Sequence, residues 1–144
     1  MPHILLVDDE EAVRYVFERY LSILGYRITT ARDGAEALGL HQADPADLII
    51  TDFRMPYMDG GELLARLRRI DPQLPAILIS ANPVDAGPLL DDVRFFAKPV
   101  SMPQLSEAVA AMIGRGRPAP GEGFGERGNP VCEPNDLRSR QCAA

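Results

Sequence analysis

Three carboxylates, a serine and a lysine stand at corresponding places in this sequence, each at or just past the end of an apolar run. Asp8 and Asp9 follow Ile4-Leu5-Leu6-Val7, and Asp52 follows Leu48-Ile49-Ile50-Thr51. Ser80 follows Ala76-Ile77-Leu78-Ile79, and Lys98 follows the run from Val93 to Ala97. Short continuous apolar runs read as strands buried on both faces, so the residues after them are where the chain surfaces. Carboxylates gathered at one place repel, and the site must either raise a pKa or recruit a cation. Oxygen-only ligands favour magnesium (Mg2+) over zinc, and because magnesium keeps several of its waters, two carboxylates and a backbone carbonyl suffice. The carbonyl of Arg54, two residues past Asp52, is the candidate third ligand.

A lysine ammonium is a compact charge able to meet a developing phosphoryl oxygen, and a serine hydroxyl can meet another. Lys98 is the sole lysine among 15 basic residues, so a chain that otherwise uses arginine keeps an ammonium here. In that setting Asp52 is the nucleophile, giving an aspartyl phosphate. Taken singly, each group has a plain structural reading: an Asp-Asp pair after a strand often just opens a helix. Their joint placement at successive strand ends is what points to a site.

The elements between these residues decide whether they meet. Asp8 to Glu11 opens a helix whose first turn favours negative charge, with Val13, Val16, Phe17, Tyr20 and Leu24 expected inward and Gly25 as its stop. Arg27-Ile28-Thr29-Thr30 alternates as a half-exposed edge strand does. Asp33 with Glu36 and Asp59 with Glu62 form capping boxes for two more helices, the second carrying Leu63, Leu64, Leu67 and Ile70. Ser101 and Gln104 cap a last helix with Leu105, Ala108, Val109 and Met112 inward. Strands alternating with helices imply right-handed parallel crossovers, hence an α/β, doubly wound, five-stranded parallel sheet. With the alternating second strand at an edge the order is 2-1-3-4-5, and ligands of such sheets bind at the carboxyl ends of the strands near the switch between strands 1 and 3.

Composition narrows the function classes. A formal net charge of −6 without a basic stripe argues against a nucleic-acid surface. The apolar runs are too short to span a membrane and the N-terminus lacks a basic region followed by a long apolar stretch, so the expected location is cytoplasmic. Residues 1–114 read as one folded unit and 115–144, dense in Gly and Pro, as a disordered tail. Cys132 and Cys142 lie in that tail without a CxxC spacing and are expected as free surface thiols. His3 and His41 are expected as surface or helix histidines without a nearby partner.

Val7-Asp8-Asp9-Glu10, Asp52 with Met55-Pro56 and Gly60, Ser80-Ala81, and Lys98-Pro99 together resemble the response-regulator receiver domain of two-component signalling, in that family's order and near its spacing. The resemblance covers residues 1 to about 114 and implies a flavodoxin-like fold. It implies that Asp52 accepts phosphate from a sensor histidine kinase or phosphotransfer protein, and that Asp9 binds Mg2+ directly and Asp8 through water. It further implies that Lys98 and Ser80 contact the phosphoryl group, and that Ser80 moves on activation with an aromatic residue of strand 5, which Phe95 matches. With only a tail after the domain, the chain resembles a single-domain regulator acting on an unidentified downstream protein through protein contacts. A magnesium-dependent phosphohydrolase is a rival, but that family carries Asp-x-Asp after its first strand, whereas Asp8 and Asp9 are adjacent. A phosphorylation-independent adaptor of the same fold is the other, and its mark would be loss of an acid or of the lysine.

Two finer expectations follow. Arg54 and Asn82 flank the site and should set the lifetime of the phosphate, Arg54 as a shield and Asn82 by orienting water. Between strands 4 and 5, Pro83, Gly87 and Pro88 oppose a long helix, so the fourth helix is expected to shrink to one or two turns or to a mobile loop.

Overall fold

The computed structural model describes residues 1–82 and 93–114. The shortened fourth helix expected before strand 5, the expected tail and both cysteines lie outside these described residues. The elements are β1 (His3–Val7), α1 (Glu11–Ile23), β2 (Arg27–Ala31), α2 (Gly34–Ala43), β3 (Leu48–Asp52), α3 (Gly60–Ile70), β4 (Ala76–Ser80), β5 (Val93–Ala97) and α4 (Met102–Gly114). The strands form one sheet in the order β2-β1-β3-β4-β5, all neighbours parallel, as the alternating pattern requires. No helix among the described residues is long and apolar enough to cross a membrane.

Every residue of β1, β3 and β4 is buried, which is why those strands read as continuous apolar runs. Alternate side chains feed two cores. Leu5, Val7, Ile49 and Leu78 pack in one with Leu63, Leu64 and Leu67 of α3. Ile4, Leu6, Ile50 and Ile77 pack in the other with Phe17 and Leu21 of α1 and with Leu105 and Val109 of α4. Each such side chain stabilises the fold by about 1.5–3 kcal/mol relative to exposure. The sheet edges are different in kind. On β2 the exposed Arg27 pairs with Asp44 at 2.6 Å, and on β5 the Arg94 guanidinium lies 5.6 Å from the Phe96 ring centroid.

The helix ends follow the local chemistry. Asp33 and Asp59 each accept a hydrogen bond at 2.8 Å from the N–H of the glutamate three residues on. α1 ends with Gly25 at φ +100°, its N–H donating to Ser22 O while Tyr26 N–H reaches back to Leu21 O. That pair of bonds is a Schellman closure, for which glycine is the unstrained residue. α4 buries all four positions read as inward, Leu105, Ala108, Val109 and Met112.

Three expectations are corrected. On α1 Phe17 is buried as read and Val13 and Tyr20 pack partly buried against the same core, but Val16 and Leu24 are exposed and Leu21 is buried instead. Ile70, the last residue of α3, is exposed because the core ends a turn earlier at Leu67. His3 and His41 are both buried and both partnered. His3 Nδ1 donates to Pro45 O at 3.0 Å and its Nε2 accepts from Thr29 Oγ1 at 2.7 Å. His41 Nδ1 accepts from the Ala46 N–H at 3.1 Å, so its Nε2 carries the proton and faces Asp71 at 3.4 Å. The His3 contacts gather at the N-terminal end of β1, opposite the end where Asp8 and Asp9 emerge.

Candidate functional site

Register brings the predicted residues to one edge. Val7 is level with Thr51, Asp52 with Ile79, and Ser80 with Ala97, so Asp8, Asp52, Ser80 and Lys98 leave neighbouring strands side by side. They open on a cleft of about 480 Å3, lined by Asp9, Glu10, Asp52 and Lys98 together with Arg54, Ser80, Ala81 and Asn82.

Asp8, Asp9 and Asp52 each present a carboxylate oxygen within 4.8 Å of the others. Asp8 and Asp52 are buried and Asp9 is exposed. Asp8 is fastened on two sides: its carboxylate accepts from the Glu10 N–H at 2.9 Å, and its carbonyl accepts from Arg14 Nη1 at 2.6 Å. Burial pushes the Asp8 carboxyl up to about 6, opposed by the Glu10 N–H and reinforced by the negative charge of Asp52 and Asp9. Asp52 is raised as well, again chiefly by burial, with the Lys98 ammonium pulling the other way. Lys98 Nζ stands 3.3 Å from Asp52 Oδ1. The cluster therefore carries the electrostatic conflict expected of it, and one ammonium offsets only part of it. An all-oxygen set of this size suits a hard divalent cation such as Mg2+.

The backbone around Asp52 is held tightly. The Phe53 N–H donates to Ile79 O and the Gly60 N–H to Phe53 O, both at 2.7 Å. A Cβ on Gly60 would lie 2.7 Å from the Asp52 carbonyl oxygen, so only glycine permits this approach. Ser80 is buried, its Oγ accepting from the Asn82 N–H at 3.1 Å, while its carbonyl accepts from the Lys98 N–H at 3.0 Å. Lys98-Pro99 is a cis peptide.

All the acids, Ser80, Lys98, Arg54 and Asn82 thus come together. Phe95 does not line the cleft; it is partly buried on β5 against the core that includes Leu78. Two contributors went unread. Glu10 lines the cleft, although its place in the acidic run was a visible signal, and Arg14 clamps Asp8 across a six-residue separation that no helical spacing announces.

A family model described as the response regulator receiver domain matches residues 4–110. Among curated proteins, the chain is 36% identical over 128 residues to the response regulator MprA of Mycolicibacterium vanbaalenii, covering 83% of this chain and 54% of that one. It is 33% identical over 132 residues to the transcriptional regulatory protein GlrR of Escherichia coli, covering 86% of this chain and 29% of that protein. The chain therefore spans about half, or less, of the length of these relatives. Among solved structures, the chemotaxis protein CheY4 of Vibrio cholerae superposes with a TM-score of 0.72 at 28% identity, over 78% of this chain and 99% of that one. The response regulator protein TrrA of Thermotoga maritima, solved in complex with Mg2+-BeF, superposes with a TM-score of 0.72 at 31% identity, over 78% of this chain and 100% of that one. Strand order, acidic cluster and sequence likeness agree, and the chain belongs to the response regulator receiver domain family of two-component signalling.

Proposed function

We propose that the chain is a phosphorylation switch in which Asp52 accepts a phosphoryl group from a phosphohistidine on a sensor kinase or phosphotransfer protein. The observation that carries this reading is the position of the Asp52 carboxylate, which faces Asp8 and Asp9 on one side and Lys98 at 3.3 Å on the other. An Asp52 oxygen bonds to phosphorus as the donor's phosphorus–nitrogen bond breaks, the electron pair returning to the imidazole. Lys98 meets one phosphoryl oxygen and Ser80 a second, which accounts for a buried hydroxyl at the cleft wall. Asp8, Asp9 and Asp52, with the Arg54 carbonyl, are the residues that would hold Mg2+. When bound, that ion supplies positive charge against the phosphoryl oxygens.

Ser80 and Phe95 carry the change outward, since the Ser80 carbonyl is bonded to the Lys98 N–H on the strand that bears Phe95. Output is through contacts with a downstream protein rather than nucleic acid, a reading supported by the acidic balance of −6. The same reading makes the chain cytoplasmic, with residues 1–114 as the switch and 115–144 as a tail that follows it.

The test is incubation with Mg2+ and a small phosphodonor such as acetyl phosphate, followed by intact mass. One added phosphate is expected on the wild type and none on Asp52→Asn. Equal labelling of the variant, or label mapping to Asp8 or Asp9, overturns the assignment.

A further inference from the structure

The turn that carries Asp8 and Asp9 is fastened from outside itself. Glu10 stands at the N-cap of α1, but its side chain makes no capping bond, so the helix start leaves the turn without that support. The Asp9 carboxylate makes no hydrogen bond or ion pair among the described residues, and its direction is therefore set by the backbone that bears it. That backbone is held by a residue further along the chain: Arg14 Nη1 donates to the Asp8 carbonyl at 2.6 Å. A peptide unit is planar, so a carbonyl held in one direction also fixes where the Asp9 N–H and Cα lie relative to Asp8. The Asp8 carboxylate is held separately, by the Glu10 N–H at 2.9 Å. Arg14 reaches back from the first turn of a helix seated on the core through Phe17 and Leu21, which gives the bond a rigid origin. Its guanidinium makes no ion pair among the described residues, and it meets the acidic turn at the backbone only.

We propose that Arg14 is a positioning residue for the cation site, fixing the Asp8–Asp9 peptide so that the Asp9 carboxylate is aimed at the point where Asp8 and Asp52 meet; this rests on the Mg2+ site proposed above. Arg14 does not touch the ion in this role. Its charge in fact works against the role, because a cation beside a divalent site repels the ion, and by charge alone removal of Arg14 tightens Mg2+ binding. Positioning has the opposite sign. Groups that orient metal ligands from behind are worth roughly 10–100-fold in affinity, so loss of the bond should weaken binding despite the relief of repulsion. The direction of the change separates the two effects.

The test uses the full chain as wild type, Arg14→Met and Arg14→Gln, with Arg19→Met as a control that removes an exposed arginine from the same helix. All three substitutions introduce good helix formers. Mg2+ is titrated by calorimetry at fixed pH and ionic strength, and metal-free samples in chelator are followed by thermal melting and backbone 15N relaxation. Both Arg14 variants should bind Mg2+ about tenfold more weakly than wild type. In the metal-free state their Asp9 amide order parameter should fall from about 0.85 toward about 0.6, the passage from rigid to flexible backbone. Their thermal midpoints should drop by no more than about 5 °C, as for loss of one hydrogen bond. Acetyl phosphate labelling should return to the wild-type rate at saturating Mg2+, with the half-maximal Mg2+ concentration raised about tenfold. Arg19→Met should match wild type throughout. Mg2+ binding as tight as wild type or tighter in the Arg14 variants overturns the inference and leaves charge as the whole effect. Equal weakening in Arg19→Met overturns it too, as does weaker binding with an unchanged Asp9 amide, which would place the cause outside that peptide. If one Arg14 variant does not fold, the other decides; if neither folds, the bond belongs to the fold and the inference falls. A wild type that binds Mg2+ but takes no label defeats the phosphoacceptor reading alone, and one that binds no Mg2+ defeats the inference together with its metal site.

Discussion

Lys98 and Asp52 form an ion pair of 3.3 Å in which the carboxylate is buried and the ammonium is about one-third exposed. The lysine is thus the hydrated, movable partner and the aspartate the fixed one. Removing the ammonium as Lys98→Ala should drive the Asp52 carboxyl still higher, because burial then acts unopposed by its strongest counter-influence. A carboxyl-detected NMR titration checks this, and a lower Asp52 pKa than in wild type would contradict it. Lys98→Arg keeps the charge but replaces a point charge with a planar fork in a packed cleft. Phosphorylation-dependent output should fall about tenfold, equivalent to ~1.4 kcal/mol.

Asp8 should couple stability to pH and, under the proposed function, to the metal. Its folded pKa of about 6 lies above the ordinary 3.8, so the folded state holds the proton more tightly than the unfolded chain. The resulting cost is absent below the ordinary value, grows between the two and is complete above about 6. Without metal, the protein should gain stability on acidification through that window, and Asp8→Asn should be about 1–3 kcal/mol more stable than wild type at pH 7.5. Urea melts with a chelator present test this, and a destabilised variant at pH 7.5 would refute it. Mg2+ affinity, followed by calorimetry, should weaken as pH falls through 6, because the ion must displace that proton.

Phosphate lifetime should depend on the two residues flanking the cleft, Arg54 and Asn82. Arg54→Ala should dephosphorylate severalfold faster in excess Mg2+ by admitting water, and Asn82→Ala more slowly by no longer orienting it. An equal or smaller rate constant for Arg54→Ala rejects the shield.

Gly60 and Gly39 make a matched pair. Ala at Gly60 meets backbone atoms at 2.7 and 2.9 Å that cannot yield cheaply, whereas Ala at Gly39, in α2, meets nothing within 4 Å. Gly60→Ala should lose about 1–3 kcal/mol and disturb Asp52, while Gly39→Ala should gain about 0.5–1 kcal/mol. Urea midpoints decide both, and a neutral Gly60→Ala would mean that the α3 start moves freely.

The strands and the site were legible because β1, β3 and β4 are buried on both faces and their polar termini interrupt apolar runs abruptly. Capping at Asp33 and Asp59 was legible for a similar reason, since it is settled within four residues. What escaped depends on partners distant in sequence or on a dihedral angle. His3 finds Thr29 and Pro45, and neither separation leaves a periodic trace. On α1, apolar residues at 16, 20, 21, 23 and 24 offer more than one stripe, and only the shape of the sheet selects Leu21 over Val16 and Leu24. Pro56 and Gly60 announced an irregular loop after Asp52, yet the left-handed turn at Tyr57 is a torsional fact that residue types alone do not spell out.

The arginines on the outermost strands bear on how these molecules behave when crowded. An open sheet offers unsatisfied amides along both margins, and a flat apolar margin is a template on which a second molecule can zip and nucleate aggregates. Here Arg27, tied to Asp44, and Arg94, laid over Phe96, stand on the two margins. An incoming strand would have to strip water from a guanidinium at either side. Each margin thus carries a charge of the kind that disfavours edge-to-edge strand pairing, so the guard against lateral growth is a hydrated side chain and not closure of the sheet.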